Sequence, residues 1–250
     1  MVKMQPLLSI VIPIYNNEMT LKKMLDSILV QKIDDWELLL INDGSTDSCA
    51  RIIDDYAKVD NRIKAFHKEN GGTFSGYNVG LENATGKYIT FCSADDTFTQ
   101  NAFEIIAKQA NEYDYDIILM NTIVHFCDND QNIIESVSAY NGILTDSFKF
   151  SNKRDFEKCF ATIFYDGFLE ANVNAYKSSI IKKYCFTEQG DTWMNLLIAN
   201  NISSVSYIHI PIYQHYIYIY IMLIKIYLFK NTVKTKIWHT TKYISKQSNY

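Results

Sequence analysis

The chain has 250 residues, of which 48% are hydrophobic and 21% charged, with a formal net charge of -4. That is ordinary globular composition, long enough to bury a large core. Five cysteines, at 49, 92, 127, 159 and 185, form neither a CxxC pair nor a Cys/His spacing suited to zinc, which argues against a disulfide framework or a metal knuckle and for reduced, cytoplasmic thiols. The first eight residues lead into a strand pattern without a signal-peptide core, so the bulk of the protein reads as not exported. The charge is unevenly spread. From residue 192 onward there is no acid and there are six lysines, while residues 1–191 carry 18 basic against 28 acidic groups, a balance of -10. A basic, apolar end on an acidic body points to an anionic surface, lipid first. Nucleic acid is not expected, because the basic groups are few, all lysine, and set in no recognisable binding fold.

Taken in chain order, Leu8 to Tyr15 is a nearly continuous apolar run, the pattern of a parallel strand covered on both faces. Asn16 and Asn17 break it. Leu21, Met24, Leu25, Ile28 and Leu29 then fall on one helical face. Trp36 to Ile41 reads as a second buried strand, ending in Asn42-Asp43-Gly44-Ser45-Thr46-Asp47, and Ile52, Ile53, Tyr56 and Ala57 mark a helix behind that turn. Arg62 to His67 predicts a third strand. Asn70-Gly71-Gly72 opens a third helix, with Phe74, Tyr77, Leu81 and Ala84 on one face and Gly86 as its C-cap. Tyr88 to Phe91 is a fourth strand, followed at once by Cys92-Ser93-Ala94-Asp95-Asp96. Four strand–helix alternations in under a hundred residues predict a parallel sheet of right-handed βαβ units.

Beyond Asp96 the pattern predicts a helix from Asn101 to Tyr113, a strand from Asp116 to Phe126, and a hairpin turn at 127–130 into a strand from Ile133 to Val137, so that the sheet becomes mixed. Residues 138–175 are irregular, with a helix expected at about 152–160. Lys177 to Tyr184 and Asp191 to Ala199 read as helices, and Ser203 to Tyr207 as a strand. The expected organisation is one domain over 1–213, made of halves at about 7–126 and 127–213, and a C-terminal extension over 214–250. Tyr216 to Phe229 is fourteen residues with Lys225 inside, short of the ~20 apolar residues a spanning helix needs. The extension therefore reads either as a peripheral contact at the inner membrane face, with Tyr and Lys at headgroup level, or as a helix packed on the body.

Ligands bind off the carboxyl ends of strands in open α/β sheets, so three loops draw attention: Ile14-Tyr15-Asn16, the 42–47 turn, and Ser93-Ala94-Asp95-Asp96. Asp95 and Asp96 are expected to project into that crevice. A short loop with two carboxylates suits Mg²⁺ or Mn²⁺, which completes its shell with water and substrate phosphates. In isolation Asp43 is equally a turn or N-cap acid, Tyr15 a core aromatic, and Asn70-Gly71-Gly72 a tight turn.

As an ordered set, these loops with Asn70-Gly71-Gly72 and Asn78-Val79-Gly80-Leu81 resemble the family 2 glycosyltransferases of the GT-A fold, closely over about 7–126 and loosely beyond. The resemblance implies an α/β, Rossmann-like mixed sheet with helices on both faces. It also implies inverting transfer of a sugar from a nucleotide-sugar donor, a UDP-sugar in this reading, to a hydroxyl on a saccharide or lipid-linked acceptor, with Mg²⁺ or Mn²⁺. Carried across by position, Tyr15 packs near the uracil, Asp43 hydrogen-bonds the base, and Asp95 ligates the metal. Pro13, Gly71 and Ala94 stand beside them as nucleotide-binding positions. The general base matches Asp191 in Glu188-Gln189-Gly190-Asp191-Thr192-Trp193, with Glu188 as a fallback; the plain alternative for Asp191 is a helix N-cap. Trp193 is a candidate floor for a sugar or a core residue. His215 can be read as a third metal ligand, but a lone His among tyrosines is more often structural. His67 and His125 read as strand-end residues without evident partners.

Two positions depart from the family pattern. Ser93 stands where relatives carry the first acid of the D-x-D, and Tyr77 where many carry arginine. They motivate an alternative, a catalytically weak or inactive nucleotide-sugar-binding paralogue. A Rossmann dinucleotide enzyme is disfavoured, since the first strand runs into Tyr15-Asn16-Asn17 and not G-x-G-x-x-G.

Overall fold

The computed structural model describes residues 5–128, 131–138, 149–154, 174–187, 198 and 201–218. The first half alternates as read from the sequence: β1 (Leu8–Ile14), α1 (Leu21–Leu29), β2 (Trp36–Asp43), α2 (Cys49–Val59), β3 (Ile63–Lys68), α3 (Thr73–Asn83) and β4 (Tyr88–Phe91). There follow β5 (Thr97–Phe98), α4 (Ala102–Glu112), β6 (Ile117–Cys127), β7 (Ile133–Ser138), β8 (Lys149–Phe150), β9 (Asn174–Lys177), α5 (Ser178–Ile181) and β10 (Val205–Tyr218). The strands join in the order β3-β2-β1-β4-β9-β6-β10-β5, with β7 on β6 and β8 on β10.

β1 pairs in parallel with both β2 and β4, and β2 with β3. β9 lies antiparallel between β4 and β6, so the sheet is mixed, as expected. Alternate residues of each strand face opposite sides, and helices cover both. Ile10, Ile12, Leu38 and Leu40 pack with Met24, Leu25 and Ile28 of α1 and Ile52 and Ile53 of α2. Val11, Leu39 and Ile41 pack on the other face with Tyr77 and Leu81 of α3.

α3 lies unusually close to β1. A Cβ added at Gly80 would fall 2.1 Å from Cγ1 of Val11, and one at Gly76 2.7 Å from Cβ of Pro13. These glycines, one turn apart, let the helix backbone press on the strand and carry the start of α3 to the carboxyl end of β1.

Several expectations are corrected. Gly86 is not the C-cap of α3; Ala84 occupies that position in an extended conformation. Gly86 is instead pressed against β1, where a Cβ would lie 2.7 Å from the Ser9 nitrogen. The helix expected from Lys177 to Tyr184 is shorter than read. Asn174–Lys177 is a strand, drawn into the sheet by pairing on both edges, and only Ser178–Ile181 is helical. The strand expected to end at Tyr207 continues to Tyr218. The helices expected at about 152–160 and 191–199, and the extension after 218, lie outside the described residues.

By compactness the chain divides into two units, Met1–Val124 with Val137–His215, and His125–Ser136 with Tyr216–Tyr250. The first holds the whole strand–helix repeat. Within the second, the His125 ring stacks on Tyr216 at 5.0 Å and its Nδ1 lies 2.7 Å from Oγ of Ser136, so His125 has partners the sequence did not reveal. Among the described residues no helix is long and apolar enough to cross a membrane.

At the amino end of the sheet, Glu37 is buried with 4% exposure. It accepts from Lys64 Nζ (2.6 Å), Ser9 Oγ (2.6 Å), and the Thr85 N–H (2.5 Å) and Oγ1 (2.8 Å). Burial works to raise the Glu37 pKa, but the Lys64 ammonium and the Ser9 and Thr85 donors together outweigh it and hold the carboxyl below its usual value of 4.5. A depressed carboxyl pKa contributes stability that is present above the unfolded-state pKa and lost as pH falls through the folded one. Glu37→Gln is therefore expected to lower stability at pH 7 by about 1–3 kcal/mol and to lose less than wild type on acidification below pH 4.5. Urea unfolding at both pH values checks this.

Candidate functional site

Because β1, β2 and β4 are parallel, their carboxyl ends open at one edge of the sheet, and the loops that follow them are locked together there. Asn16 takes a positive φ of 53°. Its Oδ1 accepts the Thr46 N–H at 2.8 Å, and its own N–H donates to Ser45 Oγ at 3.2 Å. The Ser45 N–H donates to Asn42 Oδ1 at 3.0 Å. Glu18 and Asp47 cross-cap the two loops: the Glu18 N–H donates to Asp47 Oδ2 and the Ser48 N–H to Glu18 Oε2, both at 3.0 Å. Asp47 also accepts the Cys49 N–H through Oδ1 at 3.0 Å, which satisfies a donor left over at the start of α2. Much of the 42–47 motif thus builds the scaffold. His67 belongs to it as well, with Nδ1 3.1 Å from Asn42 Nδ2 and Nε2 3.1 Å from Asp54 Oδ1.

These loops surround a cavity of about 410 Å³. Pro13, Tyr15, Asp43, Ala94 and Asp95, expected together from the sequence, all line it. Gly71 stands behind Asp43, donating its N–H to Oδ1 at 3.0 Å. Tyr15 is half exposed, at 50%. Asp43 is 2% exposed, and besides Gly71 it accepts the Gly72 N–H on Oδ2 at 2.7 Å and Lys68 Nζ on Oδ1 at 2.5 Å. Lys68 was not singled out from the sequence, although the register gives a signal, since β2 and β3 pair Asp43 directly with Lys68.

The two adjacent aspartates part company. Asp95 faces the cavity, and burial, then the neighbouring charge of Asp96, push its carboxyl above the usual carboxylate range. Asp96 does not enter the crevice, contrary to expectation: it is fully buried. Its Oδ2 accepts the Tyr213 hydroxyl at 2.9 Å, and His215 Nδ1 lies 2.9 Å from its Oδ1. A carboxylate only accepts, so Nδ1 is assigned as the protonated ring nitrogen. The Tyr213 oxygen also accepts the Ser93 N–H at 3.1 Å, so β10 fixes the loop that displays Asp95. A residue some 120 positions away carries no local signal for this role.

Tyr77, at the position where arginine was looked for, is 3% exposed. Its ring lies 4.9 Å from Phe91, edge-on, and 5.0 Å from Phe186, tilted, an aromatic cluster that reaches the cavity lining through Tyr77. Asp191, Glu188 and Trp193 lie outside the described residues.

A model of glycosyl transferase family 2 matches residues 9–170. The chain belongs to this family. Among curated proteins it is similar to the uncharacterized glycosyltransferase EpsJ of Bacillus subtilis, 40% identical over 115 residues, which are 46% of this chain and 33% of that protein. It is also similar to the glycosyltransferase GlyG of Streptococcus pneumoniae, 38% identical over 119 residues, 47% of this chain and 40% of that one. The aligned part is thus less than half of these relatives' length. Among solved structures, Staphylococcus aureus TarS 1–349 in complex with UDP-GlcNAc superposes with a TM-score of 0.67 at 19% identity, covering 84% of this chain and 58% of that one. The Pyrobaculum calidifontis mannosyltransferase PcManGT, solved with GDP-Man and Mn²⁺, superposes with a TM-score of 0.55 at 15% identity over 83% of this chain and 58% of that one. These likenesses establish the GT-A fold for this family 2 chain.

Tyr213→Phe removes one donor from Asp96 and the acceptor of the Ser93 N–H. It is expected to cost about 1–3 kcal/mol, read as a lower midpoint in urea unfolding.

Proposed function

We propose that this chain transfers a sugar from a nucleoside diphosphate donor, a UDP-sugar, to a hydroxyl acceptor with inversion at the anomeric carbon. The observation that carries this reading is the single cavity that gathers Tyr15, Asp43 and Asp95 at the carboxyl ends of β1, β2 and β4 in a family 2 chain. TarS, with the same fold, has been solved with UDP-GlcNAc, which supports a uridine donor. The acceptor in this reading is a saccharide or a lipid-linked one in cell-surface polysaccharide or glycolipid synthesis. The six lysines after residue 192 suit peripheral contact with anionic lipid at the inner membrane face.

In this account the half-exposed Tyr15 ring lies against the base and Asp43 accepts a base N–H. Pro13 and Ala94 form walls of the nucleotide site, and Gly71 keeps Asp43 oriented. The cavity lining contains the carboxylates of Asp43 and Asp95 and, among the described residues, no Lys, Arg or His. Lys68 balances the charge of Asp43, so a diphosphate entering beside Asp95 meets no cationic side chain of the lining and is better accommodated with a counter-cation brought with it. Asp95 offers one carboxylate to the cavity, which Ser93 also lines. That set fits Mg²⁺ or Mn²⁺, which uses one or two protein carboxylates and fills its shell with water and phosphate oxygens. Among the described residues no cluster of three or more His, Cys, Asp or Glu forms a protein-only cage. A divalent ion at Asp95 would supply neutralisation of the charge that grows on the leaving diphosphate.

Asp191 is proposed as the general base. It takes the proton of the acceptor hydroxyl as that oxygen attacks the anomeric carbon from the face opposite the diphosphate, and the bond to the phosphate oxygen breaks.

Calorimetric titration with UDP is expected to show binding that Mn²⁺ tightens at least ~10-fold, and Asp95→Asn should abolish the Mn²⁺ dependence. Equal affinity with and without Mn²⁺ and in the variant removes the metal from the account. Slow hydrolysis of the nucleotide-sugar donor by wild type is expected to vanish in Asp191→Asn with UDP binding intact; hydrolysis at the wild-type rate would dismiss Asp191 as base.

A further inference from the structure

A carboxylate offers about four acceptor positions, two on each oxygen, and the protein itself fills three of those on Asp43. Lys68 Nζ at 2.5 Å and the Gly71 N–H at 3.0 Å occupy Oδ1, and the Gly72 N–H at 2.7 Å occupies one position on Oδ2. The lysine is itself held in place, since its Nζ also donates to the Glu69 carbonyl oxygen at 2.5 Å, and its side chain is only 22% exposed. Among the described residues, therefore, one acceptor position on Asp43 is left for a ligand, on Oδ2.

The count discriminates between bases. The uracil imide presents a single N–H between two carbonyls, which one acceptor satisfies. Guanine presents N1–H and the N2 amine side by side, a pair that matches a carboxylate through both oxygens; with Oδ1 full, one of its two donors would be stripped of water and left without a partner. The question is live for this fold, because TarS was solved with a uridine nucleotide sugar and PcManGT with a guanosine one.

We propose that Lys68 is a specificity-determining residue: by saturating Oδ1 of Asp43 it limits the site to bases offering one N–H, and so excludes guanine in favour of uracil. This rests on the reading of Asp43 as the base-binding residue. Lys68 touches no substrate atom in this account. It acts through Asp43, which makes it a positioning residue.

The test compares GDP with IDP, which shares the purine ring and N1–H but lacks the N2 amine, so that ring size cancels in their ratio. Each nucleotide is used with Mn²⁺ to displace UDP from wild type, Lys68→Met and Lys68→Arg. In wild type GDP is expected to bind no tighter than IDP. In Lys68→Met, with Oδ1 partly freed, the GDP/IDP affinity ratio is expected to rise about tenfold, and Lys68→Arg should restore the wild-type ratio. A merely structural lysine would weaken all three nucleotides together and leave the ratio flat. The proposal is overturned if wild type already favours GDP over IDP by about tenfold, a result that needs no folded variant, or if Lys68→Met binds UDP with an unchanged ratio. Wild type that fails to bind UDP at all would bring down the functional reading itself, and this proposal with it.

Discussion

The buried carboxylate of Asp43 and the three donors that close on it set the geometry of everything at the carboxyl edge of the sheet. Lys68, Gly71 and Gly72 all belong to the end of β3 and the crossover into α3, so one side chain ties β2 to the start of α3. The neighbouring Gly44 makes the same demand from its own side. Its φ is +73°, and a Cβ there would meet the Asn70 nitrogen at 2.8 Å. Two loops this close need a residue without a side chain on one of them. The glycines of α3 that press on β1 complete the arrangement, because without that approach the 70–72 loop would stand off from Asp43 and the cavity would lose a wall.

Neighbouring carboxylates serve opposite ends in this structure. Asp95 is displayed to the cavity, where burial and then the charge of Asp96 push its carboxyl above the usual range, while Asp96 is turned inward and consumed by Tyr213 and His215. The division of labour is physical: a buried carboxylate is tolerated only with donors around it, and the donors that β10 brings to Asp96 hold its partner outward. Lys64 around Glu37 and Lys68 around Asp43 repeat the principle at the two ends of β2. The buried acids of this sheet are structural ties first, and the proposed chemistry draws on the acceptor capacity left after those ties are made.

The strand–helix alternation up to β4 was legible because buried parallel strands are short apolar runs and each helix repeats its apolar face at i, i+3 and i+4. The gathering of Tyr15, Asp43 and Asp95 followed from the same reading, since parallel strands put their following loops at one edge. What the sequence hid is non-local. Asn174 and Ala175 fell in a stretch read as irregular and Lys177 at the start of an expected helix, and only pairing with β4 and β6 makes Asn174–Lys177 a strand. Tyr213 closed the stretch read as the domain and His215 lay in the expected extension, yet β10 runs through both and delivers them to Asp96. Gly86 resembled a C-cap because it follows a helix, whereas its absent side chain is required by Ser9 of β1. Asp96 looked like a second site acid because nothing nearby in sequence announced its burial.

The central claim is that a nucleoside diphosphate lies across this cavity with its base on Asp43 and its diphosphate at Asp95. The most direct measurement is a crystal structure of the chain grown with UDP and Mn²⁺. The account predicts the uracil imide nitrogen within hydrogen-bond distance of Asp43 Oδ2, the ring against Tyr15, and Mn²⁺ held by Asp95. UDP bound at any other surface, or in this cavity with its phosphates rather than its base on Asp43, would contradict it.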